Sequence, residues 1–295
     1  MVRASKGERT FQLFNNALML VVSVLTLYPV LYVALASVSD PSRLIREGGL
    51  LLWPKGFELG AYKIVFNNPN IGSGYLNTIL YMGAGTFISM LLTIMGAYAL
   101  SRRNAMFVKY LMFFAVFTMW FKPSMIPFFL TVGTEMKLKN TFWAMVLPRA
   151  ISTYNLIVLR TGFAQVPDAL EESARIDGAK DFTILFRIFA PLCKANIAVV
   201  TLFYMVSKWN SWFDAMLFLN KRGMFPLQLL LREILILNNT DSMLAASAVT
   251  QGDQIAVGET VKYATIVVAT LPILCVYPFI QKYFVKGVMI GAIKG

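Results

Sequence analysis

The segment "PDALEESARIDGAKDFTILFRIFAP", Pro167–Pro191, sets five acids (Asp168, Glu171, Glu172, Asp177, Asp181) and three bases (Arg175, Lys180, Arg187) between two of the oiliest runs of the chain. Asp168 is placed to cap a helix, and Glu171 three residues on completes an Asp-x-x-Glu variant of the capping box. Acids in a first turn suit the positive end of the helix dipole. Glu171 and Arg175, four apart, are spaced to pair on the exposed side. Gly178 suits a left-handed helix end, and Asp181 then opens a second short helix that Pro191 stops. The first helix is only about 15 Å long at 1.5 Å per residue, too short to cross a bilayer. Small side chains at Ser173, Ala174 and Ala179 predict a low surface that another protein approaches closely. The plain alternative is a solvated loop resting on lipid headgroups.

Around this segment the composition is that of a membrane protein. Of 295 residues, 57% are hydrophobic and 14% charged, against about a quarter charged in soluble domains. The apolar residues fall in long blocks, which makes a bilayer the solvent. Spans are predicted within the uncharged run Thr10–Ser39 and at about Tyr75–Leu100, Phe107–Val132, Thr141–Phe163, Ala195–Leu219 and Tyr263–Gln281. The expected fold is all-α and polytopic, with six transmembrane helices in a single domain over residues 1–295. Arg3, Lys6 and Arg9 before the first run, with Ala34-Leu35-Ala36 at its end, have the look of a secretory signal. The run is long for that and contains Pro29, which favours an uncleaved first span.

Basic residues set the orientation. With the N-terminus inside, 14 Lys and Arg fall in inner loops against 10 in outer ones. Both termini, and the segment 167–191, are then cytoplasmic. The net charge of +12 is spread between apolar blocks and not gathered into one stripe, so headgroups, not nucleic acid, are its expected partner. The chain has no histidine, which excludes Ser-His and Cys-His catalysis. Cys193 and Cys275 are far apart in apolar surroundings and predict inert thiols, with neither a disulfide framework nor a metal site.

The chemistry-bearing residues inside the spans are Lys122, Arg149, Lys208 and Asp214. Charges at such depth are costly unless they face a cavity or a partner. Beside Lys208 runs "WNSWFDA", Trp209–Ala215, in which Trp209 and Phe213 share a helical face, as do Lys208 and Trp212. Aromatic faces suit sugar rings and cations suit carboxylated sugars. Lys122, Arg149, Lys208, Trp209, Trp212 and Asp214 are therefore candidates to line a path for acidic saccharides. The competing reading has these charges paired with a partner chain and the aromatics in ordinary packing.

"E-S-A-x-x-D-G", Glu172–Gly178, followed after nine residues by Ile188-Phe189-Ala190-Pro191, resembles the EAA loop of ABC-importer membrane subunits. Ser173 stands for the central alanine and Ala190 for the leucine of that pattern. With six spans and the tail "FVKGVMIGAIKG", Phe284–Gly295, the chain resembles the second permease subunit of carbohydrate importers. "LLWPKGF", "SARIDGAKDFTILFRI" and "KYATIVVATLPILCVYPF" place it nearest the lipo-oligosaccharide and polysaccharide branch, which includes alginate importers.

That resemblance implies a type I permease fold in a bacterial inner membrane, with residues 167–191 as the coupling loop. Glu171, Glu172, Ser173, Ala174, Asp177, Gly178 and Pro191 would form the coupling site, with Glu172 meeting a basic residue of the ATPase. It also implies a second homologous permease, two ATP-binding cassette subunits, an extracytoplasmic solute-binding protein facing loop 220–262, and a saccharide substrate. No P-loop motif G-x-x-x-x-G-K-[ST] occurs, so this chain is expected to be no enzyme and to bind no cofactor, with ATP and Mg on the partner subunits. The rival class is an ion-coupled secondary transporter, which needs buried carboxylates and repeats. Asp214 is the one candidate acid, and no convincing repeat is visible.

Overall fold

A computed structural model describes residues 6–102, 106–121, 123–236 and 254–292, and places side chains over 7–102, 106–121, 123–236 and 256–275. Among the described residues the secondary structure is helical, without strands. In chain order come α1 (Lys6–Ser37), α2 (Pro41–Glu47), α3 (Gly60–Asn67), α4 (Pro69–Ser101) and α5 (Val108–Trp120). Then follow α6 (Met125–Phe129), which widens into a π-helix (Leu130–Glu135), α7 (Trp143–Val146) and α8 (Thr153–Phe163). The charged segment forms α9 (Asp168–Ile176) and α10 (Asp181–Ile184), the latter running through a π-helix (Leu185–Phe189) into α11 (Ala190–Leu192). The remainder is α12 (Lys194–Trp209), α13 (Trp212–Phe218), a short 3-10 turn (Arg222–Met224), α14 (Leu227–Ile236) and α15 (Gln254–Ala292).

Among the described residues three helices are long and apolar enough to cross a membrane, within Gly7–Ser37, Pro69–Ser101 and Ala256–Cys275, and five if two bent pairs each count as one span. The pairs are Val108–Trp120 with Met125–Glu135, and Asp181–Leu192 with Lys194–Trp209. Prolines account for most departures from six straight spans. Pro123 lies in the break of the predicted third span, where a residue without an N–H and with a ring against the preceding turn cannot continue a helix. Pro148 does the same in the predicted fourth, Thr141–Phe163, which becomes α7 and α8. The predicted fifth, Ala195–Leu219, ends at Trp209. There Asn210 Nδ2 donates to the Val206 carbonyl at 2.9 Å and Ser211 Oγ to that of Lys208 at 2.7 Å, side-chain bonds that compete with helix continuation.

The chain divides into two compact units, residues 1–69 with 233–271, and residues 70–232 with 272–295. In the first unit α1 keeps its polar atoms satisfied internally: Ser23 and Thr26 donate to carbonyls one turn back, at 2.7 and 2.9 Å. Apolar surroundings demand such bonds. Asp40 caps α2 by accepting the Arg43 N–H at 2.9 Å, with Pro41 at the first helical position, an arrangement that stabilises a helix start.

In the second unit, α4, α8 and α12 close around a core of Met90, Tyr98, Leu159, Phe163, Phe189 and Val200. Tyr204 stitches it together. Its hydroxyl shares a 2.7 Å hydrogen bond with Thr93 Oγ1 and accepts the Ser152 N–H at 2.9 Å. The apolar run Leu227–Leu231 of α14 is buried. Leu227 donates its N–H to Thr78 Oγ1 at 2.9 Å. That part of loop 220–262 therefore packs on this chain, while Ile236 at the end of α14 is exposed. Residues 237–253 of the loop lie outside the described residues.

Candidate functional site

The charged segment folds as two short helices with a defined turn. Its start differs from the predicted capping box: α9 begins at Asp168 itself, and Pro167 takes the cap position without a side-chain bond. A proline side chain has no acceptor to offer, so the acids act through the dipole and through partners elsewhere. The turn at Gly178 is closed by two backbone bonds, Ala179 N–H to the Ala174 carbonyl at 2.9 Å and Gly178 N–H to that of Arg175 at 3.0 Å. This is the Schellman pattern, and Gly178 at φ +80° supplies the left-handed residue it needs. The second helix runs one residue past Pro191, to Leu192, where Pro191 sits in a final short α turn. At Cys193 the chain then swings through 89° into α12.

Arg102, at the end of α4, holds this segment to the core, and nothing in the spacing of the sequence had singled it out. Its Nη1 meets Glu171 Oε2 at 2.5 Å, with side chains only 12% and 14% exposed. Its Nη2 donates to the Phe163 carbonyl at the end of α8, at 3.2 Å. The guanidinium lies 4.3 Å from the ring centre of Phe189 in the π-helix, a favourable cation–π distance. One arginine thus joins four elements. Arg160 adds a second tie, its Nε donating to the Leu100 carbonyl at 2.8 Å. The signal present in the sequence is the position of Arg102 directly after the long apolar run that forms α4.

Glu171 also takes the predicted bond from Arg175, at 2.8 Å, and Arg175 reaches on to Asp181 at 2.6 Å. Burial by itself pushes the Glu171 carboxyl up, but hydrogen bonds and charge from Arg102 and Arg175 outweigh it and hold the group below its ordinary value. The same carboxylates raise Arg175 above the usual guanidinium range.

The outer face of α9 presents Glu172, Ser173, Ile176 and Asp177, with Ile176 85% exposed. Ala174 is turned the other way. It is buried in the core cluster, with Ala179 packed against it, so neither residue forms the low outer surface that composition alone had suggested. On an amphipathic helix the small residue lies where α9 meets its own chain.

A cavity of about 820 Å³ opens beside α8 and α12, within the second unit. Its wall includes Arg149, Tyr154, Phe203, Phe213, Ser152 and Thr118. The size is within the range of ligand pockets. The rings of Tyr154 and Phe203 lie 6.1 Å apart. Arg149 is the charged member of the wall, its side chain 58% exposed, and its Nε pairs with Asp214 Oδ2 at 2.9 Å.

The other candidates sit apart from this cavity. Lys208 is buried, and its ammonium donates to the Met145 and Val146 carbonyls, both at 3.1 Å. It thereby satisfies the open end of α7, which the Pro148 break leaves without helical partners. Trp209 is buried against Tyr75, with ring centres 6.5 Å apart, and the break at Asn210–Ser211 removes the face it was expected to share with Phe213. Trp212 is on the exposed side, with the Arg232 guanidinium 5.0 Å from its ring centre. Lys122 lies outside the described residues. Of the expected path residues, Arg149 lines the cavity and pairs with Asp214, and Lys208, Trp209 and Trp212 are not part of its wall.

Residues 85–290 match the family described as binding-protein-dependent transport system inner membrane component. The chain is 39% identical over 295 residues to the polygalacturonan/rhamnogalacturonan transport system permease protein YtcP of Bacillus subtilis (strain 168), covering 98% of this chain and 99% of that one. It is 38% identical over 291 residues to the protein LplC of the same organism, covering 99% and 97%. Among solved structures, one chain of a bacterial ABC transporter involved in the import of the acidic polysaccharide alginate superposes with a TM-score of 0.86. That match has 31% sequence identity and covers 96% of this chain and 100% of the other.

Proposed function

The chain belongs to the family of binding-protein-dependent transport inner membrane components, and we propose that within it this subunit carries acidic oligo- or polysaccharides. It is a carbohydrate ABC-importer permease of the type I fold, a membrane-spanning subunit of an ATP-driven importer and not itself an enzyme. The single observation that supports an acidic cargo is Arg149, an exposed cation in the wall of an aromatic-lined cavity. The named cargoes of the two relatives, a polygalacturonan and alginate, lean the same way.

In this reading α9 and α10 dock in a groove of an ATP-hydrolysing subunit, with Glu172, Ser173 and Asp177 on the outer face and Gly178 setting the angle between the helices. The working assembly contains a second, homologous permease, two ATP-binding cassette subunits that hold ATP and Mg, and an extracytoplasmic solute-binding protein. Both termini and residues 167–191 face the cytoplasm.

The experiment is uptake by the assembled complex in vesicles, with binding protein present, offered matched acidic and neutral oligosaccharides. ATP-dependent uptake that favours the acidic member supports the reading, and equal treatment of the two overturns it. The docking half is tested separately. Glu172→Lys should leave a folded complex that no longer transports, and a cross-linker at Ser173 or Ile176 should capture the ATPase subunit. Normal uptake by Glu172→Lys rejects that role.

A further inference from the structure

Arg149 has a feature that its charge alone does not convey. Asp214 engages it at one edge, through Nε, and the Phe128 ring lies 5.3 Å from the guanidinium carbon. Among the described residues its two terminal nitrogens, Nη1 and Nη2, have no acceptor. A guanidinium whose Nε edge is fixed and whose terminal fork is free presents two parallel N–H donors in one plane. That is the geometry a carboxylate takes up bidentately.

We propose that the Arg149 fork is a carboxylate subsite of the cavity, and that Asp214 and Phe128 are the positioning residues that aim it. This rests on the acidic-saccharide reading and makes it specific to one atom group: the uronate carboxylate, met end-on by Nη1 and Nη2. Asp214 is suited to the positioning role because it meets Arg149 Nε at 2.9 Å from a largely buried position, its side chain 16% exposed. Its Oδ1 is buried and has no hydrogen-bond partner among the described residues, and its Oδ2 is the oxygen that meets Arg149. Lys208, the other cation nearby, has its ammonium engaged by the Met145 and Val146 carbonyls and does not compete for the ligand. Beyond the fork, Tyr154 and Phe203 offer ring faces, and Ser152 and Thr118 offer hydroxyls for sugar hydroxyl groups.

A Lys in place of Arg149 would keep the charge and lose the fork. The charge-assisted, two-point contact is therefore separable from simple attraction. Removing a hydrogen bond to a charged group costs a factor of about 10–100 in affinity.

The test uses the purified importer with its partner subunits, reconstituted in vesicles with binding protein. The probes are a short uronic-acid oligosaccharide and the same oligosaccharide with its carboxyl groups reduced to primary alcohols. The readout is the ratio of apparent affinities for the two probes. Arg149→Gln should lower that ratio by about 10- to 100-fold, and Arg149→Lys should recover a minor part of it. Asp214→Ala should lower it less than Arg149→Gln does, whereas Asp214→Asn, which keeps an acceptor for Nε, should stay nearer the native ratio.

An assembled Arg149→Gln complex with a native ratio, or an Arg149→Lys complex that discriminates as well as the native one, overturns the subsite. If Arg149→Gln fails to assemble, the lysine variant decides alone. If the native complex treats the two probes alike, the acidic-cargo reading fails and takes the subsite with it. If the native complex discriminates and the variants do too, only the subsite fails.

Discussion

Arg102 Nη1 and Glu171 Oε2 lie 2.5 Å apart with both side chains largely shielded from water, so the first helix of the charged segment is fastened to the end of α4 and not merely laid against it. Because Arg102 also holds the Phe163 carbonyl and covers Phe189, a movement of α9 would be passed to α4, α8 and the π-helix together. Arg102→Gln should leave the importer assembled and still able to hydrolyse ATP, but with several-fold less uptake per ATP consumed. The local stability lost is about 1–3 kcal/mol. An unchanged ratio of uptake to hydrolysis argues against a transmitting role for this contact.

The same pair fixes a pH dependence. Glu171 is held below its ordinary value of 4.5 in the folded protein. A depressed carboxyl stabilises fully above its unfolded value and loses that contribution as pH falls through the folded one. Thermal unfolding of the solubilised subunit should therefore separate native from Glu171→Gln at neutral pH. The gap should close only below about pH 4.5. A gap that closed between neutral and pH 6 would point to a different group.

Gly178 stands at φ +80°, and a Cβ built there meets nothing within 4 Å. The cost of Gly178→Ala is then conformational alone, about 1–2 kcal/mol for an L-residue in a left-handed position. Gly178→Asn, which tolerates that region better, should keep more uptake than Gly178→Ala. If alanine and asparagine behave alike, the turn is not the reason glycine is needed.

Lys208 passes over Gly85, where an added Cβ would meet its Cε at 3.0 Å, and ends on the Met145 and Val146 carbonyls. Lys208→Met fills much the same space and abandons both carbonyls, for a loss of about 1–3 kcal/mol. It should lower the melting temperature of the subunit while shifting the acidic-to-neutral preference far less than Arg149→Gln does. A Lys208→Met complex that keeps its stability and loses its preference reverses this assignment.

What was legible in the sequence follows from the range of the forces involved. Helix ends are local, and Gly178 with the i,i+4 pair Glu171–Arg175 was readable from spacing alone. The long uncharged runs foretold α1, α4 and α15, because hydropathy needs no tertiary information. The breaks at Pro123 and Pro148 were spelled out in the residues, yet a span count based on uncharged length passed over them. The inward face of Ala174, the Arg102 clasp and the occupation of Lys208 by carbonyls all depend on contacts between residues tens of positions apart. Charge marked Lys208 and Arg149 as equals. Only packing distinguishes a cation that closes a helix end from one that lines a cavity.

The right-angle corner at Cys193 makes a bell crank of the helices that meet there. The arm Asp181–Leu192 is about 18 Å long and the arm Lys194–Trp209 about 24 Å, at 1.5 Å per residue. If the corner stays stiff, a tangential nudge of about 2 Å at the tip of the short arm becomes about 3 Å at the far end of the long one. Phe203, Tyr204 and Ser207 ride on that long arm and line the cavity. A small stroke at the tip of the short arm would thus be geared up into a change in the shape of that cavity.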